Sequence, residues 1–292
     1  MVKVKVPATT ANLGCGYDTL GVALNLYTIF EFEEIESGVE FVGFDLEFSN
    51  EENLVYVAFK KTLEKLNKNL IGVRISIKSD VPISRGLGSS STCVVGGIYG
   101  AYSLSCTEIN KEEIFNIATE IEGHPDNVSP AIFGNLSVSC TNENKKSLTA
   151  IYNVDERINF LALIPDFETS TKKAREVMPK NIALSDAIYS YSRIGIVIKA
   201  LETYNLKLLK EAMDDKIHEP YRKNIINEYA DVRNICESVD SVTFMISGSG
   251  STLINIIKDE KNIPLIEEKL KKLKHNWRCV LLKVDKYGTV IE

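Results

Sequence analysis

Six cysteines are scattered through 292 residues, and no two form a Cys-x-x-Cys pair. That excludes a disulfide-framed fold and a zinc site built on such pairs, and fits thiols kept reduced. Only three histidines occur, and His124 and His218 belong to no metal-ligand cluster. No apolar run is long enough to cross a bilayer. The N-terminus alternates Val2, Val4 and Val6 with Lys3 and Lys5, so it reads as a strand and not as a signal peptide. Excess positive charge is also missing. The net charge of −6 argues against nucleic acid or an anionic membrane as partner. An anionic ligand would have to be held by local donors against the overall field. A cytoplasmic protein is expected. Cys93 and Cys140 lie in apolar runs and are expected to be buried. Cys15 stands in a polar loop, where it is either accessible or a small filler.

The segment Pro82-Ile83-Ser84-Arg85-Gly86-Leu87-Gly88-Ser89-Ser90-Ser91 is the most informative stretch present. Val73, Ile75 and Ile77 alternate ahead of it as a strand, and a mostly apolar helix is predicted from Thr92 onward. Glycine lets a large anion approach the main chain, and free N–H groups at a helix start point at such an anion. Serine hydroxyls add hydrogen bonds or a magnesium ligand. No Lys follows the second glycine, so this is not a Walker loop, and the glycine spacing is wrong for a dinucleotide fingerprint. Taken alone, the segment also fits a Gly/Ser helix start that binds nothing.

The length suggests two domains, with a boundary in the polar 142–157 region, written here as 1–150 and 151–292. Strands are predicted over 2–6, 28–35, 39–44, 72–78 and 135–141, with helices over 53–66, 89–104 and 111–122. In the second half, strands are predicted over 158–164, 242–246, 253–257 and 278–284. Helices there are predicted over 186–203, 206–214, 223–237 and 263–274. The class is α+β, and the second half reads as a split βαβ sandwich.

Within helix 111–122, Ile114, Ile117, Ala118 and Ile121 form an apolar stripe, and Glu122 falls at its edge, one turn beyond Ala118. A carboxylate led toward the interior is costly unless it is paired or bound to a metal. Glu122 therefore either holds a cation near the phosphates or caps nearby backbone. A second glycine-bearing loop, from Pro7 to Asp18, offers Asn12 and Asp18 to a small polar substrate, although Asn and Asp are also common turn formers. Arg175 and Arg222 suit bidentate carboxylate recognition, yet a lone arginine on a helix is usually solvated. His124 and His218 read by themselves as ordinary polar side chains.

Together these segments resemble the GHMP small-molecule kinases, whose three motifs match the loop at 12–18, the loop at 82–91 and the Ser247-Gly248-Ser249-Gly250-Ser251-Thr252 turn. Within that superfamily the chain is most similar to the homoserine kinases. The discriminating text is Ala8-Thr9-Thr10-Ala11-Asn12-Leu13-Gly14 with Gly16-Tyr17-Asp18, Glu122-Gly123-His124-Pro125-Asp126-Asn127, and His218-Glu219-Pro220-Tyr221-Arg222. The likeness spans nearly the whole chain.

It implies a ribosomal-protein-S5-like α/β N-terminal domain and a ferredoxin-like C-terminal domain. The implied reaction is ATP-dependent phosphorylation of the L-homoserine hydroxyl, a step toward threonine. By the same resemblance, 82–91 with Thr92 and the stretch Asn53, Leu54, Val55 bind ATP, and Ser90 with Glu122 holds Mg²⁺. Asn12, Asp18, His124, Asn127, Arg175, Arg222 and Gly248 match the substrate site, Asp18 taking the ammonium and the arginines the carboxylate. Asn127 stands where other members carry a basic Asp, so Asn127, Glu122 and Ser90 are implied to act by positioning and charge stabilisation. A kinase for another small alcohol such as mevalonate or shikimate, and an inactive ligand sensor on the same fold, stay open. So does the oligomeric state, a homodimer included.

Overall fold

The computed structural model describes residues 1–292. The first half contains β1 (Val2–Ala11), β2 (Leu20–Ile35), β3 (Val39–Val42), α1 (Leu54–Lys65), β4 (Gly72–Ser79), α2 (Ser89–Leu104), α3 (Lys111–Glu122), α4 (Val128–Phe133), β5 (Leu136–Thr141) and β6 (Ser147–Tyr152). The second contains β7 (Asn159–Pro165), α5 (Thr171–Glu176), α6 (Leu184–Tyr191), α7 (Ile194–Glu202), α8 (Leu206–Ala212), α9 (Glu219–Arg222), α10 (Tyr229–Val239), β8 (Thr243–Ile246), β9 (Leu253–Ile257), α11 (Ile263–Leu270), β10 (Trp277–Leu282) and β11 (Val290–Ile291). None of the helices is long and apolar enough to cross a membrane.

The first sheet runs β11-β1-β2-β4-β3, with β5 added to the N-terminal end of β2 and β6 added to β5. The expected division at 150/151 falls inside β6, which pairs along its whole length with β5. The chain leaves this sheet only after Tyr152. Its end returns, with Val290 and Ile291 pairing against β1. The second sheet is antiparallel in the order β10-β7-β9-β8, as a split βαβ sandwich requires.

Three apolar clusters hold these layers. One packs β1, β2 and β4 against α1, α2, α3 and α4 through Phe30, Phe32, Phe59, Tyr99 and Ile114. Another joins β7 and β9 to α10 and α11 through Leu161, Leu163, Val232 and Ile266. The third is shared by the two halves: Leu13, Leu20 and Val22 meet Phe160, Ile254, Val197 and Leu209. The two sheets are thus joined by core, which fixes the walls of any cleft between them.

Several expected boundaries moved for local reasons. β1 continues from residue 6 to Ala11, past a register shift between Pro7 and Ala8. Ala8 to Ala11 are all buried, so no alternation marks them as strand. The helix expected over 186–203 is two, because Arg193 Nη1 and Ser192 Oγ both donate to the Tyr189 carbonyl and compete with the helical ladder. The helix expected from 223 starts at Tyr229, after Glu228 at φ 59°. The Glu228 carboxylate accepts from the backbone of Lys274 and His275 and from Trp277 Nε1. Cys140 is exposed and Cys93 half-buried, contrary to expectation, whereas Cys15 is a buried filler whose thiol burial pushes up to about 12.

Candidate active site

Three loops close on one another at the junction of the two halves. The end of β1 receives the loop that precedes α2, where Thr9 N donates to Leu87 O at 3.2 Å. The 247–252 turn binds both. Gly248 N donates to Ala11 O, Thr252 N to Arg85 O, and Ser247 Oγ to Gly86 O at 2.6 Å. These approaches explain the two loop glycines. A Cβ on Gly86 would lie 2.2 Å from Ser247 O, and one on Gly88 would lie 2.1 Å from Thr9 Oγ1. Both also have φ above 70°, a region that disfavours other residues. The glycines therefore serve internal packing as well as an open cradle.

No hydrophobic residue lines the resulting cleft. From the loop it receives Ser84, Gly86, Gly88, Ser89, Ser90 and Ser91, and beside them stand Glu122, His124, Asp126 and Asn127. Asn12, Asp18, Arg175, Arg222 and Gly248 complete it together with Thr171 and Ser249. Every residue expected to bind substrate or metal is thus brought to one place. The remaining expected nucleotide residues are not among its lining. Leu87 is fully buried, and Thr92 Oγ1 donates to Ser89 O within the helix. Pro82 and Ile83 lie outside the cleft, Ile83 with 47% exposure. Arg85 turns toward the second half, donating to the carbonyls of Pro165 and Asp166 and to Glu168. At the start of α1, Asn53 caps the helix by accepting from Val55 N, Val55 is buried, and Leu54 is half-buried.

Glu122 ends α3, with Gly123 at φ 87° closing the helix behind it. As the apolar stripe requires, its side chain is only 10% exposed. It is held by the first turn of α2: Ser90 Oγ donates to Oε2 at 2.9 Å and Ser91 Oγ to Oε1 at 3.2 Å. Burial pushes its carboxyl above the usual range, with the His124 charge and the two serines pulling the other way. Burial also works against protonation of His124. The hydrogen bond and charge of Asp126, with the charge of Glu122, outweigh it and raise the imidazole.

In the same cleft, Asp18 and Arg175 form a two-pronged ion pair, each contact at 3.3 Å. Arg222 is 3% exposed. Its Nε donates to Ala174 O, Nη1 to Gly248 O and Nη2 to the Tyr17 hydroxyl, and it stacks on the Tyr17 ring at 4.9 Å. Burial lowers its pKa. A guanidinium has five hydrogens, so one on each terminal nitrogen stays free. Asn12 spends its amide on structure, with Nδ2 bonded to Gly248 O and Oδ1 accepting from Asp18 N. His218 is fully buried; its Nε2 bonds Gly14 O at 2.8 Å and its ring stacks under Tyr17.

Asp126, Thr171 and Ser249 line the cleft without having been expected there, and Thr9 joins the network through Asn127. Asp126 lies in the quoted His-Pro-Asp-Asn run but shows no periodicity that would separate it from an ordinary turn residue. Thr9 lies in a strand end whose small residues carry no signal of their own.

The family model described as GHMP kinases N terminal domain matches residues 53–135, and that described as GHMP kinases C terminal matches 197–276. A homoserine kinase of Clostridium botulinum (strain 657 / Type Ba4) is 45% identical over all of this chain and 98% of its own length. One from Clostridium beijerinckii is 43% identical over all of this chain and 99% of its own. The crystal structure of homoserine kinase from Cytophaga hutchinsonii superimposes with a TM-score of 0.88 at 26% identity, covering 100% of this chain and 97% of that one.

Proposed function

The chain belongs to the GHMP kinases, where full-length relatives at 43–45% identity are homoserine kinases, and on that premise we propose that it moves the γ-phosphoryl group of ATP onto the side-chain hydroxyl of L-homoserine. The observation that carries this reading is the charge layout of a single cleft. A buried carboxylate gripped by two serines at a helix start lines it together with an Asp and two arginines.

ATP's phosphates are assigned to the N-terminus of α2, where Ser89, Ser90 and Ser91 offer hydroxyls and unpaired N–H groups. Leu54, the one residue of 53–55 with appreciable free surface, is left for contact with the adenine. The donor set at Ser90 and Glu122 is all oxygen and carries one buried negative charge, which fits magnesium. That ion keeps waters and takes further ligands from phosphate, so it needs no protein cage. Ser90 Oγ and Glu122 would hold it, and when bound it supplies positive charge to the phosphoryl oxygens.

Homoserine is a zwitterion, and the same cleft carries both complementary charges. Asp18 receives the ammonium, while Arg175 and the two free hydrogens of Arg222 receive the carboxylate. In the free enzyme Asp18 and Arg175 neutralise each other, so entry of the zwitterion exchanges one pair for two. Asn127 faces the same space and cannot take a proton. The residues therefore act by orienting the hydroxyl and stabilising charge, which phosphoryl transfer permits. An inactive sensor would not need the intact Glu122–Ser90 pair.

A coupled ATPase assay across homoserine, mevalonate, shikimate and galactose tests the assignment. Turnover should be confined to homoserine; turnover with another of the four, and none with homoserine, would overturn it.

A further inference from the structure

Asp126 is 2% exposed and stands between two cleft residues. Its Oδ1 lies 2.6 Å from His124 Nδ1 and 3.4 Å from Asn127 Nδ2. A carboxylate accepts and does not donate. The nitrogen facing it must therefore carry hydrogen, which puts a proton on His124 Nδ1 and turns the Asn127 NH₂ toward Asp126. The same orientation sets Asn127 Oδ1 against Thr9 Oγ1 at 2.8 Å, with Thr9 as donor. Thr9 is fully buried and tied through its N–H to Leu87 O. On its other side, any Cβ at Gly88 would come within 2.1 Å of its hydroxyl. Flipping the amide would set its oxygen against the carboxylate, so one orientation satisfies both ends and the other does not.

We propose that Asp126 and Thr9 are positioning residues that clamp the Asn127 amide from both ends, so that its remaining N–H, and not its carbonyl, is offered to the acceptor oxygen and the transferring phosphoryl group. Asp126 at the same time fixes the plane of the His124 ring, whose Nε2 lies 4.0 Å from Glu122 Oε1. An N–H donor aimed at developing oxygen charge lowers the barrier without taking a proton. The clamp is read from the free protein; its catalytic role rests on the phosphotransfer reading above.

The test uses Thr9→Val, Thr9→Ser, Asp126→Leu, which leaves no acceptor at 126, and the Thr9→Val/Asp126→Leu double variant of the full chain. Thr9→Val and Asp126→Leu should each lower kcat by about tenfold to a hundredfold. ATP affinity by calorimetry and the KM for homoserine should move much less. Thr9→Ser keeps the hydroxyl and should stay within about threefold of wild type. The double variant should be no worse than the poorer single variant, because both act through one amide. Nitrogen-15 NMR of the free enzyme, in which only three imidazoles must be assigned, should show a hydrogen-bonded Nδ1 proton on His124 that survives Thr9→Val and is lost in Asp126→Leu.

Wild-type turnover in Asp126→Leu, a Thr9→Ser as poor as Thr9→Val, additive losses in the double variant, or His124 without an Nδ1 proton would each overturn the clamp. If another alcohol replaces homoserine as substrate, the functional reading falls; the clamp is then judged on that alcohol's kcat and on the NMR, which needs no substrate.

Discussion

Glu122→Gln should produce two effects of opposite sign. The substitution removes one charge and almost no volume. Gln can still accept from one of Ser90 and Ser91 and donate to the other, so both hydroxyls keep a partner. In the wild type, burial raises the carboxyl's pKa above its usual value. The native state therefore holds the proton more tightly than the unfolded chain. The cost of a buried charge is absent below the unfolded pKa of about 4.3, and it is imposed in full once the pH passes the raised native value. Gln never bears that cost. Without metal, the Gln variant should melt at or above the wild-type temperature at neutral pH, with the gap closing as the pH falls toward about 4.

Turnover should move the other way, with kcat falling about a hundredfold or more, since charge stabilisation through a bound cation is worth several kcal/mol. The measurements are metal-free melting across the pH range and a coupled assay at saturating ATP and magnesium. Turnover within a few-fold of wild type, or a Gln protein melting well below wild type at neutral pH, would refute the reasoning and leave Glu122 a structural carboxylate.

Three further outcomes are expected. Arg222→Leu should raise the KM for homoserine by about thirtyfold or more. The amino alcohol lacking the carboxylate should lose much less, and equal losses would mean that Arg222 only braces Ala174 and Gly248. Gly88→Ala drives a Cβ into Thr9 Oγ1 and holds a side chain at φ 71°, so calorimetric ATP affinity and kcat should both fall; unchanged values would show that the loop relaxes freely. Burial pushes His218 down to about 4, so the native state binds fewer protons than the unfolded one between that value and about 6.5. Wild-type stability should decline as the pH drops through that window, and His218→Gln should flatten the slope; an identical slope would show that His218 does not carry it.

What the sequence determined by itself was whatever repeats over a few residues. The stripe Ile114, Ile117, Ala118, Ile121 both made α3 a helix and carried Glu122 inward, because a 3.6-residue period fixes direction without tertiary context. The Gly-Ser run marked the start of α2 for the same local reason. Resemblance in three separated motifs named the cleft's members, yet it did not say how each uses its atoms.

Tertiary structure alone decided that Asn12 braces the 247–252 turn, that Arg85 faces the second half, and that Asn53 caps α1 with Val55 in the core. It also decided that Asp126 and Thr9, separated by more than a hundred residues, hold one amide between them. Such roles depend on partners brought together from distant parts of the chain. A hydrogen bond's worth is set by what faces each donor and acceptor after burial, and no window of neighbouring residues contains that information.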